Sequence, residues 1–198
     1  MKKINLLIIL ISILGLSANA QRSSKVKDAD YSFLKGVKTM NILFDYEGMT
    51  VGKGKTEEAY VAEKVAEKNK KKAGKGDKWK KAWENGKLSV YEPTFKAVFS
   101  KKLGKIGIKV KEGDDAEITM IVKATRIEPG FSVGVASKRG EADFEFIFVE
   151  TANHENIISQ IILTRAIGSD TYSVSDRVKF AYYYAAKKLS GYIVKGLK

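Results

Sequence analysis

The chain has 198 residues, 44% hydrophobic and 30% charged, with 36 lysines and arginines against 23 acids and a formal charge of +13. That length suffices for one domain with its own core. The absence of cysteine excludes disulfides and thiolate-held metals, and a single histidine leaves little for any metal centre. The charge bears on solubility and on encounters with anions.

Lys2 and Lys3 precede an apolar run over 4–16, interrupted by Asn5, Ser12 and Gly15. Ser17-Ala18-Asn19-Ala20 then puts small residues where a signal peptidase reads them. This is the layout of a signal peptide over 1–20, with cleavage expected between Ala20 and Gln21. The run is shorter than the roughly 20 apolar residues that span a bilayer. Gln21-Arg22 lacks the cysteine that carries a lipoprotein's lipid. The expected product is therefore periplasmic or secreted, not a lipoprotein, with no transmembrane segment in the mature chain. Export also removes nucleic acid as a native partner.

Residues 21–35 are polar and mixed in charge and read as a flexible leader to a single domain over 36–198. A strand is predicted over 39–46, then a glycine loop over 48–54. Thr56 caps a helix whose first turn carries Glu57 and Glu58 and whose narrow apolar face is Ala59, Ala62, Val65 and Ala66. That helix frays before Gly74. Asp77 is the expected cap of a second helix with Trp79, Ala82 and Trp83. Pro93 marks a boundary, and a third helix follows over 94–102. The stretch 56–102 thus reads as a lysine-rich helical insertion.

Ile106, Ile108 and Val110 alternate as in a strand, and Ile118, Met120, Val122 and Ala124 continue that period in another. Pro129-Gly130 stops it, and 131–139 reads as irregular. A strand over 141–150 puts Phe144, Phe146 and Phe148 on one face, opposite Asp143 and Glu145 on a solvated one. Residues 151–156 connect to a further strand over 157–167. The closing helix, 173–195, carries the stripe Val174, Val178, Ala181, Tyr182, Ala185, Leu189 and Tyr192, with Gly191 as an early stop. The expected fold is α+β: one mostly antiparallel sheet, helices packed on one face and a long C-terminal helix.

Gly54-Lys55-Thr56 resembles the end of a phosphate loop, but position 49 is methionine where that loop needs glycine. His154 lies among polar turn residues, with no His-x-x-x-His pattern and no Gly-x-Ser-x-Gly elbow elsewhere. Neither a metal nor a cofactor is expected. The carboxylate pairs Glu57-Glu58 and Asp114-Asp115 fit a cap and a turn. Tyr182-Tyr183-Tyr184 point three ways on a helix and form no platform.

The candidate ligand-binding set is Lys78, Trp79, Lys80, Lys81, Trp83 and Lys87. Tryptophans one helical turn apart can stack on a sugar or lie at a lipid interface while lysines hold phosphate or carboxylate. Packing of both tryptophans on the sheet, with solvated lysines, accounts for the same residues.

The strand ending in Arg126-Ile127-Glu128-Pro129-Gly130, the glycine-containing segment to Gly140, the aromatic strand, the hairpin and the closing helix resemble uncharacterised domains of exported bacterial envelope proteins. Ile42-Leu43-Phe44-Asp45-Tyr46 is similar to the first strand of lipoproteins among them. The order is also loosely similar to the amino-terminal α/β domain of the TolB and curli-secretion proteins. The resemblance implies envelope localisation and a role in binding or assembly, with no catalytic residues to carry over. The expected function is a non-catalytic module for an anionic envelope component (lipid head group, lipopolysaccharide or acidic glycan) or an acidic protein. The alternative is a hydrolase acting on an envelope polymer.

Overall fold

The structure, a computed structural model, describes residues 24–198. The expected signal peptide and its cleavage site lie outside the described residues. The strands are β1 (Ser24–Lys25), β2 (Thr39–Asp45), β3 (Thr50–Val51), β4 (Lys55–Thr56), β5 (Lys109–Val110), β6 (Ile118–Glu128), β7 (Phe131–Val133), β8 (Ala136–Lys138), β9 (Glu141–Glu150) and β10 (Asn153–Ile167). The helices are α1 (Glu57–Lys71), α2 (Lys75–Gly86), α3 (Glu92–Leu103) and α4 (Val174–Gly196).

The fold is α+β, as the periodicities imply. The main sheet runs β1-β10-β9-β6-β2-β5. Its centre, the long β6, β9 and β10, is antiparallel, while β2 joins β6 in parallel with Met40 opposite Ile118 and Asp45 opposite Lys123. β3 pairs with Arg126 and Ile127 at the far end of β6, and β4 turns back from it into α1. The sequence from β3 to α1 therefore leaves the sheet at the Arg126 end.

Alternation fixes the two faces. Phe144, Phe146 and Phe148 are buried under the helices. Phe144 meets Tyr182 edge-on at 4.8 Å, Phe95 stacks on Phe99 at 5.5 Å, and Phe33 meets Phe148 at 5.0 Å. The other face carries an ion-paired ladder: Lys123 to Asp45 at 2.9 Å, Arg126 Nε to Asp143 Oδ2 at 2.7 Å, and Gln160 donating to Glu145.

Five local expectations change. The described part of the leader packs on the core: Val26, Tyr31 and Leu34 are buried, and the Tyr31 hydroxyl donates to Val26 O at 2.7 Å. Three anchors without periodicity leave no pattern for a strand or helix reading. The second helix starts earlier, with Gly74 at φ 75° before Lys75, so Asp77 falls in its first turn and not at the cap. α2 and α3 run on without a break through a π-turn at Lys87–Tyr91. Pro93 has no N–H to give, and the Glu92 amide bonds to Lys87 O five residues back, widening the helix in place of ending it. Residues 104–106 form a 3-10 turn, so only Lys109 and Val110 remain of the strand expected over 106–110. Residues 131–138, expected to be irregular, form the β7–β8 hairpin. Phe95, Phe99 and Leu103 are fully buried, which makes α3 part of the core beneath the lysine-rich segment.

Several ionisable groups couple this fold to pH. Burial is the largest influence on Asp45 and Glu128 and pushes both carboxyls up. For Asp45, Lys123 and the Glu47 amide outweigh it; for Glu128, Lys138 and the Gly130 amide do. Both end below the usual carboxylate range. The unfolded chain therefore binds more protons, and their stabilisation, present above the unfolded value of about 4, is lost as pH falls through the folded values. Burial raises Glu92 against the pull of Tyr46, Lys96 and Lys87. Its contribution has the opposite sign, present at acid pH and lost as pH rises. The urea midpoint of the wild type is expected to drop on acidification below about pH 4. Glu92→Gln should raise the midpoint at pH 7 and leave it unchanged near pH 3; a lower midpoint at pH 7 would contradict the assignment.

Candidate functional site

α1 and α2 form an antiparallel helical hairpin. Thr56 Oγ1 caps α1 by accepting from the Ala59 amide at 3.3 Å, and Asn69 Oδ1 accepts from the Gly76 amide at 2.7 Å where the chain returns. A side chain at Gly76 would start 2.4 Å from Val65 O, so only glycine permits this crossing. The hairpin gathers the two tryptophans. Trp79 and Trp83 stack at 5.6 Å with 24° between their planes, and Tyr60 packs on both.

The six residues singled out in the sequence separate by environment. Trp83 is buried, and its Nε1 donates to Glu57 Oε1 at 2.6 Å. Lys87 gives Nζ to Glu57 Oε2 at 2.5 Å and lies 4.6 Å from the centre of the Tyr46 ring. Lys80 pairs with Glu84 at 2.8 Å. Trp79 is half-buried, with Lys68 5.7 Å over its ring. Lys78 and Lys81 are exposed and have no ion partner among the described residues. The structure thus joins Trp79 with Trp83, holds Lys87 and Lys80 in ion pairs, and leaves Lys78 and Lys81 to solvent. Glu57→Ala removes the acceptor of both Trp83 and Lys87 and is expected to lower stability by about 2 kcal/mol. A chemical denaturation midpoint would show it.

A groove of about 480 Å³ runs between α1 and α2, lined by Glu57, Glu58, Val61, Ala62, Val65, Lys80, Glu84 and Lys87. Acid–base hydrolysis needs two available carboxyl groups. Here Glu57 is committed to Trp83 and Lys87 and Glu84 to Lys80, so Glu58 alone is uncommitted. On α4, the Tyr182 hydroxyl is buried beside Tyr46.

A second concavity was not anticipated. Residues 93–111 contain six lysines and no acid, and residues 177–198 contain five lysines, Arg177 and no acid. α3 and α4, which carry most of these residues, pack side by side. Between them lies a groove of about 390 Å³ lined by Ala97, Val98, Lys101, Lys102, Lys105, Tyr183 and Lys187. None of its four lysines has an ion partner among the described residues. Lys102 Nζ lies over Gly191, 3.7 Å from where that residue's Cβ would stand. By contrast, residues 53–87 hold twelve lysines but also six acids. The signal available in the sequence was the run without acids, not the abundance of lysine. Among the described residues no group of three or more histidines, cysteines or acids is placed to hold a metal ion.

No family model matches the chain, and comparison with curated proteins finds no match. Among solved structures, the PelC dodecamer from Paraburkholderia phytofirmans is similar at 10% sequence identity and a TM-score of 0.35, over 86% of this chain and 94% of that chain. Among the described residues, no helix is long and apolar enough to cross a membrane.

Proposed function

We propose that this chain is an exported, non-catalytic binding module of the bacterial envelope that holds an anionic envelope component between α3 and α4. The observation that carries the reading is the α3–α4 groove: four lysines without ion partners among the described residues, over a floor of Ala97, Val98 and Tyr183, with no acid lining it. Like charges brought together without counter-charges repel, and a bound anion relieves that repulsion. Lysine serves as a point-charge partner for phosphate, and the tyrosine ring offers a face to a sugar or chain. The amino-terminal layout of residues 1–20 supports export, which puts envelope anions within reach.

The test is titration of the mature protein with inorganic polyphosphate and with polygalacturonate at low and high salt. Saturable binding that weakens with salt supports the reading, and the tighter ligand tells phosphate from carboxylate chemistry. Absence of binding to both polymers at low salt would sink it. The hydrolase alternative has the α1–α2 groove as its favouring observation, but that groove offers only one uncommitted carboxylate, Glu58.

A further inference from the structure

We infer that the β7–β8 hairpin is a membrane-docking tip that enters the boundary between head groups and acyl chains of an anionic bilayer. Phe131 pairs with Lys138, Ser132 with Ser137 and Val133 with Ala136. Directly paired residues point to the same side of an antiparallel ribbon. One side is therefore Phe131, Val133 and Ala136, and the other is Ser132 and Ser137. Val133 is 72% exposed, and Val135, in the turn, is fully exposed. The ribbon forms a two-stranded sheet of its own, apart from the main sheet.

Such an isolated hairpin is marginal in water, yet this one is held firmly at its foot. Arg177 Nε donates to Pro129 O at 2.8 Å, and its Nη2 reaches Gly130 O at 3.5 Å. Glu128 accepts from the Gly130 amide at 3.0 Å and from Lys138 Nζ at 2.7 Å. Gly130 has φ 62°, and a side chain there would start 2.2 Å from Lys138 O. The fold spends this network on presenting valines to solvent. The same Arg177 holds Tyr172 O at 2.8 Å, so a tyrosine that is 88% exposed stands beside the foot.

The occupant follows from size and charge. An apolar tip of a few side chains is far smaller than the roughly 800 Å² that each partner gives to a stable protein interface. It suits shallow insertion, with the tyrosine at head-group depth. Lys138 at the foot stays paired with Glu128, and the next residue, Arg139, is exposed without an ion partner among the described residues, a cation placed to meet a layer of lipid phosphates. The inference rests on the proposed function only for the compartment.

The test uses vesicles of phosphatidylglycerol mixed with phosphatidylcholine, and vesicles of phosphatidylcholine alone. The mature wild type should float with the anionic vesicles, and Val133→Asp with Val135→Asp should weaken partitioning at least about tenfold. Emission from a Val135→Trp variant should shift to the blue and be quenched by brominated acyl chains. The double aspartate variant should still bind polyphosphate as the wild type does, which separates the hairpin from the α3–α4 groove. Unchanged flotation of the double variant, or no quenching, overturns the docking tip and leaves the groove reading intact. Self-association of the wild type that the double variant abolishes would assign the tip to a second copy of the chain and also overturns it.

Discussion

Arg177→Met is expected to lower unfolding free energy by about 4 kcal/mol, the largest stability loss of any single substitution considered for this chain. Arg177 is 3% exposed and has no carboxylate partner among the described residues; its charge is met by backbone carbonyls. Nη1 donates to Thr171 O at 2.6 Å and Tyr172 O at 2.8 Å, while Nε and Nη2 serve Pro129 and Gly130. One side chain from the first turn of α4 thus joins the end of β6, the foot of the β7–β8 hairpin and the loop that enters α4. Methionine fills similar space but leaves those carbonyls without donors, and each buried unsatisfied acceptor costs about 1–3 kcal/mol. For a domain of this length the loss corresponds to a fall in Tm of roughly 10 °C. Arg177→Lys restores one ammonium and should recover part of the loss. Limited proteolysis should cut Arg177→Met first over residues 129–140. A Tm within about 2 °C of wild type would show that the carbonyls find other donors, and the network would lose its structural meaning.

What the sequence disclosed and what it hid divide along contact range. β6 and β9 stand where alternation placed them and β2 where its apolar and aromatic residues did, and α4 follows its stripe, with Val178, Ala181, Tyr182, Ala185 and Leu189 fully buried. Ser173 caps α4 by accepting from the Asp176 amide at 3.3 Å, and Gly191 does not end it, because tertiary burial on both sides of a glycine outweighs its cost of about 1 kcal/mol. These features are local. The burial of Val26, Tyr31 and Leu34 depends on partners far along the chain and has no local period to announce it. Pro93 was a sound reason to expect a boundary, yet a bond from Glu92 to Lys87 keeps the helix running. The candidate site followed the same division. Counting lysines pointed to Lys78, Lys80, Lys81 and Lys87, but Glu57 and Glu84 return to that segment and bind Lys87 and Lys80. The acid-free runs 93–111 and 177–198 are 84 positions apart at their starts, a difference of 177 and 93, and only the packing of α3 on α4 makes them one surface.

Replacing Lys101, Lys105 and Lys187 together by glutamate is expected to weaken polyphosphate binding more than a hundredfold. Each cation near an anionic surface contributes about 1 kcal/mol, and reversal also adds repulsion, so three reversals remove at least about 3 kcal/mol. All three side chains are exposed, and surface substitutions of this kind shift stability by about 0.5 kcal/mol or less each. The variant should therefore fold, with the circular dichroism and Tm of the wild type. Net charge alone predicts the same loss from any three reversals. The matched control is Lys78→Glu, Lys80→Glu and Lys81→Glu, which changes the chain's charge by the same amount on α2. If the α3–α4 groove holds the anion, this control should lose less than about tenfold, because the long-range part of its effect is screened beyond roughly 10 Å at moderate salt. The groove variant should also show a shallower salt dependence, since fewer cations remain to exchange counterions with the polymer. Equal losses in the two variants would place the interaction in the overall field of the molecule. A larger loss on α2 would return the site to Trp79 and its lysines, where Lys68 already lies over the Trp79 ring.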